Sequence, residues 1–391
     1  MTELFLAIEL DGTGAHPASW RRRDSRAEDL FTGGYWVDAI TAAEKAGVDA
    51  VFVPDSFGLQ PGGPGVTRGV LDAIAISARV AAATHRIGLL PQAPVTHTEP
   101  FHLAKAIQSL DFASLGRAGW EVTVSEGPEQ AAAFGRKPAQ APAALWQEAD
   151  EAIEVVTRLW DSWEDDAEIR DVRTGRFIDR DKLHYIDFTG EHFSVQGPSI
   201  TPRSPQGQPI VAVRAEDAAS SAVAARRADL IRIAATDLGS AHVRRAALRT
   251  AILAADRDPD AVQVLLDIDI HLADTTAAAQ AELAQLDQWA PITTPGPAPR
   301  LRHIGTAESL RELLSAVAEA EAADGVVLRP LAAPAALQHL LGTPSARILA
   351  ADPGPTLRAR LGLPRPASRY AAPNTSPGMT APATFAKGMR S

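Results

Sequence analysis

Cysteine is absent from this chain of 391 residues, which excludes disulfides, thiolate metal ligands and cysteine nucleophiles and fits a reducing compartment. Positive charge is in deficit: 38 Lys and Arg against 48 Asp and Glu leave a net charge of −10. Nucleic acid and anionic membranes are therefore poor main partners, since both repel such a surface. No run approaches the roughly 20 apolar residues of a membrane span, and the N-terminus has no charged-then-apolar signal pattern. "MTELFLAIEL" reads instead as a first strand, and a soluble, cytoplasmic protein is expected. The glycine-rich "GGPGVTRG" (62–69) lacks the Gly-Lys-Ser/Thr ending of a P-loop and reads as a flexible loop, a lid candidate. No Gly-x-Ser-x-Gly elbow occurs. His97 and His102 stand five apart with no carboxylate completing a ligand signature. They read as loop and helix surface, and no metal site is expected. The charge run "WEDDAEIRD" reads as a solvated face, and no internal repeat stands out.

What is present is an alternation of β-rich apolar runs with helical stretches. Strands are expected at 4–10, 49–55, 86–92, 117–125, 209–215, 229–235, 262–272 and 325–331. Helices are expected between them, among them 35–47, 71–84, 101–114, 144–163 and 307–324. Eight strands in strict β-then-α order predict a parallel sheet closed into a (β/α)₈ TIM-like barrel. A polar stretch without periodicity, 164–208, forms an insertion after the fourth unit. One domain is expected over 1–364, followed by a mobile tail over 365–391. Function in such a barrel sits at the carboxyl ends of the strands. Those positions hold Asp55 and Ser56, Gln92, Ser125, Arg214 to Asp217, Ala235 to Asp237, and Arg329.

Longer words then carry a resemblance. "SLDFASLGRAGWEVTVS" and "LWDSWEDDAEIRDVRTGRFIDRDKLHYIDFTGEHFSVQGPSITPRSPQGQP" are similar to the bacterial-luciferase-like flavin monooxygenases. Within that family the chain resembles the branch of nitrilotriacetate and dibenzothiophene-sulfone monooxygenases. "GAHPASWR" (14–21), "GVDAVFVPDS" (47–56), "IGTAESL" (304–310), "AADGVVL" (322–328) and "TLRARLGLPRPASRYA" (356–371) extend the likeness over about residues 1–371. The resemblance implies two-component chemistry on a small organic substrate. A separate flavin reductase supplies reduced FMN, O₂ is the oxidant, and the protein seats the flavin at the barrel mouth and shields it from water. It also implies a homodimer or pairing with a related subunit.

Carried over position by position, the resemblance makes Asp55 a neighbour of the flavin ring and Ser125 a hydroxyl donor closing the fourth strand. His16 becomes the first-loop histidine facing the substrate, the candidate catalytic residue. Departures from the family crowd the mouth. Gln92 replaces a hydroxyl residue after the third strand, Glu121 replaces an asparagine, and Trp146 replaces a tyrosine that reaches the flavin phosphate. Where the family has a glycine and two serines for that phosphate, this chain has Ala215, Glu216 and Asp217. A phosphate dianion within ~4 Å of a carboxylate meets about 4 kcal/mol of repulsion at an effective dielectric of 20, roughly a thousandfold in affinity. Arg214, Arg226 and Arg227 restore a positive field only if one of them points inward. The readings left open are an FMN-dependent monooxygenase with an altered grip, a deazaflavin-dependent oxidoreductase on the same barrel, and a non-catalytic subunit that has lost flavin.

Overall fold

Eight parallel strands close on themselves in the computed structural model, which describes residues 4–58, 69–290, 299–342 and 356–370. They are β1 (Phe5–Glu9), β2 (Ala50–Val53), β3 (Gly88–Pro94), β4 (Gly119–Thr123), β5 (Ile210–Arg214), β6 (Leu230–Ile233), β7 (Gln263–Leu272) and β8 (Gly325–Pro330). Each pairs with the next, and β8 pairs back to β1 with Phe5 opposite Gly325. β7 is long enough to carry an extra parallel partner at its upper end, Leu301–Gly305.

The helices α1 (Gly33–Lys45), α2 (Ala73–Ala81), α3 (Pro100–Ala113), α4 (Pro128–Phe134), α5 (Pro142–Asp161), α6 (Ala218–Arg227), α7 (Leu238–Ala254), α8 (Thr276–Trp289) and α9 (Ala307–Glu319) follow in order. Short polar side chains start them, as caps do. Thr32, Asp72, Asp217, Asp237 and Thr306 each accept a backbone N–H of their own first turn. α5 shows why its sequence is helical. Leu145, Ala149, Ala152, Val156 and Leu159 recur at helical spacing, and all are buried against the barrel.

The expected insertion is real and contains two short antiparallel pairs, Glu168–Asp171 with Arg176–Ile178 and Phe188–Thr189 with Ser194–Val195. Residues 365–370, assigned from sequence to a mobile tail, lie against the body. Arg365 meets Asp165 at 2.6 Å, Ser368 Oγ donates to the Asp161 carbonyl, and Arg369 donates to Glu154. The remainder of that segment, 371–391, lies outside the described residues, as does most of the glycine-rich loop.

Side chains alternate across each strand, so residues two apart share the barrel interior. The floor of that interior is apolar: Ala7, Phe52, Leu90, Ala212, Leu230 and Val327, closed from below by Leu357, Leu361 and Leu363. One step further along the strands the interior becomes ionic, with Glu9, Gln92, Glu121, Arg214, Arg232, Asp267 and Arg329.

Candidate active site at the barrel mouth

The ionic layer is organised around Arg232, which has no solvent exposure. Its guanidinium is bidentate on Asp267 at 2.9 Å, reaches Glu121 at 2.9 Å and Glu9 at 2.7 Å, and lies 4.5 Å over the Phe52 ring. Glu9 also takes Arg214 at 2.6 Å and Arg329 at 2.8 Å, and Arg329 continues to Asp269 at 2.7 Å. Burial alone would push the Glu9 carboxyl up. The surrounding Arg232, Arg329 and Arg214 outweigh it and hold Glu9 well below its usual range. Asp267, Glu121 and Glu9 overcome the burial of Arg232 in the same way and raise it well above its ordinary value. Fixed charges buried this deeply are tolerable only because each is paired and hydrogen-bonded.

On the β5 side, the two acidic residues singled out from sequence sit at the start of α6. The Asp217 carboxylate accepts the Ser220 backbone N–H at 2.7 Å, and the Ser220 hydroxyl accepts the N–H groups of Glu216 (3.0 Å) and Asp217 (2.9 Å). The helix end is thus self-capped, with the N–H groups of Glu216, Asp217 and Ser220 in use. The Glu216 side chain is exposed, 3.8 Å from Arg214 and 3.6 Å from Arg300. Arg214 does point inward, toward Glu9, whereas Arg226 and Arg227 bind Asp150 on the outer surface.

On the β2–β4 side the mouth is open. A cavity of about 320 Å³ is lined by Asp55, Gln92, Pro94, His97 and Phe134 among others. Asp55 and Gln92 are joined directly, the Asp55 N–H donating to Gln92 Oε1 at 3.1 Å while Gln92 Nε2 donates to Glu121 at 2.6 Å. The Asp55 carboxylate accepts the N–H groups of Ser56 (2.7 Å) and Ala73 (2.9 Å), and burial raises it above the usual range. Ser125 lies at the end of β4, its N–H donating to Thr96 Oγ1 at 2.8 Å. Among the described residues its buried hydroxyl has no partner. His97, read from sequence as surface, is buried with 8% exposure. Neither ring nitrogen has a partner among the described residues, and the ring stacks on Phe134 at 4.7 Å. His102 is exposed, as expected. Trp146 is buried in the core cluster on α5.

His16 sits in the first loop under α8. Gly14 adopts φ +139° where the loop crosses β8, and a Cβ there would run into the Leu331 carbonyl. His16 Nδ1 accepts the Ala18 N–H at 3.1 Å, which leaves the proton on Nε2, 3.2 Å from Asp287. Burial pushes the imidazole below its usual range despite that carboxylate. Next to this loop, His271 Nε2 lies 3.1 Å from Glu282, and its Nδ1 is buried without a partner. The structure thus brings Asp55, Gln92 and Ser125 to one side of the mouth, places Glu216 and Asp217 on the other, and leaves His16 with both nitrogens engaged.

The two ends of an FMN molecule meet different surroundings at this mouth. The ring end fits: a cavity lies beside Asp55 and Gln92, and the Ser125 hydroxyl is unpartnered. The phosphate end fits poorly, because the N–H groups of Glu216, Asp217 and Ser220 are engaged within the cap and two carboxylates stand at the helix start. Outside the mouth, Glu151, Glu191 and His192 cluster within 4.8 Å, but Glu151 is already occupied by the backbone N–H groups of the other two and serves as a loop clasp. Among the described residues no helix is long and apolar enough to cross a membrane.

Comparison with known proteins agrees with the fold. Residues 9–346 match the family described as luciferase-like monooxygenase. The N-acetyl-S-(2-succino)cysteine monooxygenase of Bacillus subtilis (strain 168) is 34% identical over 73% of this chain and 64% of its own length. The dibenzothiophene-sulfone monooxygenase of Rhodococcus erythropolis is 31% identical over 70% of this chain and 62% of its own. The chain therefore spans less than two thirds of these curated relatives. A riboflavin lyase solved with a modified FMN and riboflavin superposes with a TM-score of 0.83 at 25% identity, over 94% of this chain and 97% of that one.

Proposed function

Because this chain belongs to the luciferase-like monooxygenase family, we propose that it is a flavin-dependent monooxygenase acting on a small organic substrate, with reduced FMN delivered by a separate reductase and O₂ as oxidant. The observation that carries the reading is the unpartnered Ser125 hydroxyl on the side of the mouth where a cavity opens beside Asp55 and Gln92. Bound there, a reduced flavin supplies the oxygen activation that no side chain can. The protein's own contribution is positioning. Ser125 donates a hydrogen bond to the ring, and the Asp55–Gln92 pair fixes the β2–β3 edge. Trp146, Glu216 and Asp217 remain proposed flavin-side positions and His16 a proposed substrate-side one. A cytoplasmic location and a homodimer or pairing with a related subunit complete the reading.

Anaerobic titration with reduced FMN tests it. Saturable binding at micromolar concentration, weakened several-fold in Ser125→Ala, is expected; absence of binding would defeat the proposal. A second reading, a subunit that has given up flavin and pairs with an active relative, is favoured by the occupied α6 terminus and the Arg232 layer. It predicts no binding of reduced FMN or of a reduced deazaflavin. Binding of the deazaflavin alone would point to a deazaflavin-dependent oxidoreductase instead.

A further inference from the structure

Two departures that stand 29 residues apart in the sequence are one pair in the structure. Gln92 on β3 and Glu121 on β4 are register partners, opposite each other across the two parallel strands. The Gln92 amide donates to Glu121 Oε2 at 2.6 Å, and its carbonyl oxygen accepts the Asp55 N–H at 3.1 Å. Gln92 is buried, and Glu121 has no solvent exposure.

An amide in this place has one orientation. A carboxylate offers only acceptors and a backbone N–H only a donor, so Nε2 faces Glu121 and Oε1 faces Asp55. Turning the amide over sets donor against donor and acceptor against acceptor, which forfeits both bonds in a buried site. Both of its partners are anchored in turn. The Asp55 carboxylate is held by the Ser56 and Ala73 N–H groups. Glu121 lies 2.9 Å from Arg232, which is itself bidentate on Asp267. The bond to Glu121 uses one of the two Gln92 amide N–H groups, and Nε2 makes no other hydrogen bond among the described residues. Gln92 also lines the cavity at the mouth.

We propose that Glu121 is a positioning residue: anchored by Arg232, it locks the Gln92 amide so that β3 presents a fixed hydrogen-bond donor to the flavin edge. The hydroxyl group that the family resemblance implies at position 92 turns between donating and accepting, and the amide held by Glu121 does not. Naming the flavin as the acceptor rests on the proposed function; the lock is a property of the chain itself. A fixed donor selects a ring form that places a carbonyl oxygen or an anionic nitrogen at this edge.

Nuclear magnetic resonance of the full chain, labelled at glutamine nitrogen and free of ligand, reads the lock. The Gln92 side-chain signals, assigned by their loss in Gln92→Leu, should include one proton shifted well downfield and slow to exchange. Glu121→Asp keeps a negative charge beside Arg232 and draws the acceptor back by one methylene, so the shift should be largely lost. Gln92→Leu leaves the Arg232 layer whole, so the first measurement stands even where position 121 tolerates no change. Reduced FMN titrated anaerobically into the same preparations reads the consequence. Gln92→Leu and Glu121→Asp should each weaken binding several-fold, and Glu121→Asp should add nothing in the Gln92→Leu background. A carboxylate that only supports the fold would weaken binding equally in both backgrounds. An unshifted Gln92 amide, a shift that survives Glu121→Asp, FMN affinity unmoved by either variant, or additive losses would overturn the proposal. A locked amide without flavin binding defeats the flavin reading alone, and flavin binding beside an unlocked amide defeats this inference alone.

Discussion

The two sides of the barrel mouth stand on the same apolar floor and treat polar groups in opposite ways. From β5 to β8, arginines and carboxylates saturate one another: Arg232 spends its donors on Asp267, Glu121 and Glu9, and the start of α6 closes on its own Ser220. From β2 to β4, the Ser125 hydroxyl and both nitrogens of His97 are buried and without partners among the described residues, and His97 lines a cavity of about 320 Å³. Buried polar groups without partners are uncommon in folded proteins. Arg214 Nε and His271 Nδ1 are examples on the β5–β8 side, so it is the cavity against His97 that distinguishes the β2–β4 side as the one open to a ligand.

The comparison breaks most visibly at Arg232. Replacing it with alanine takes the close cation from buried Glu121 and Asp267, while Glu9 keeps Arg214 and Arg329, and a loss of about 3–5 kcal/mol in chemical unfolding is expected. A change below about 1 kcal/mol would show that the layer is hydrated and open. Glu9→Gln is a milder break, on the order of 2–3 kcal/mol at neutral pH, because a hydrogen-bonding amide remains. Glu9 sits well below 4.5 in the folded protein, so its ionised form adds stability that is complete above the unfolded value. That stability is lost as pH falls through the depressed folded value, and the gap between Glu9→Gln and the parent should close in acid. A gap independent of pH would contradict the assignment. The smallest effect expected sharpens the comparison instead of breaking it. Glu216→Ser with Asp217→Ser keeps a serine cap for α6, removes two negative charges, and should tighten reduced FMN by about tenfold or more, read by anaerobic fluorescence. No change would mean that charge at this terminus is not the obstacle.

The barrel itself was legible, since periodic apolar strands separated by amphipathic helices leave few alternatives, and all eight strands fall where alternation places them. The insertion at 164–208 was visible as a loss of period. The ionic layer was present in the letters but easily passed over. "LIRI" in β6 places one arginine, and "LLDIDIH" in β7 places Asp267, Asp269 and His271 at alternate positions of otherwise apolar strands, which is the signature of a charged barrel interior. His97 could not be placed from sequence, because its burial arises from α4 folding Phe134 across it, a contact 37 residues away in the chain. The partners of His16 were equally hidden, since Asp287 reaches it from α8 at the far end of the sequence.

The central claim is that the flavin is held by its ring on the β2–β4 side and not by its phosphate at α6. Affinities of reduced FMN and reduced riboflavin, measured anaerobically on the same preparation, test this most directly, because the two differ only in the phosphate. Dissociation constants within about threefold of each other are predicted, whereas FMN binding tens of times more tightly, or neither flavin binding at all, would contradict the account.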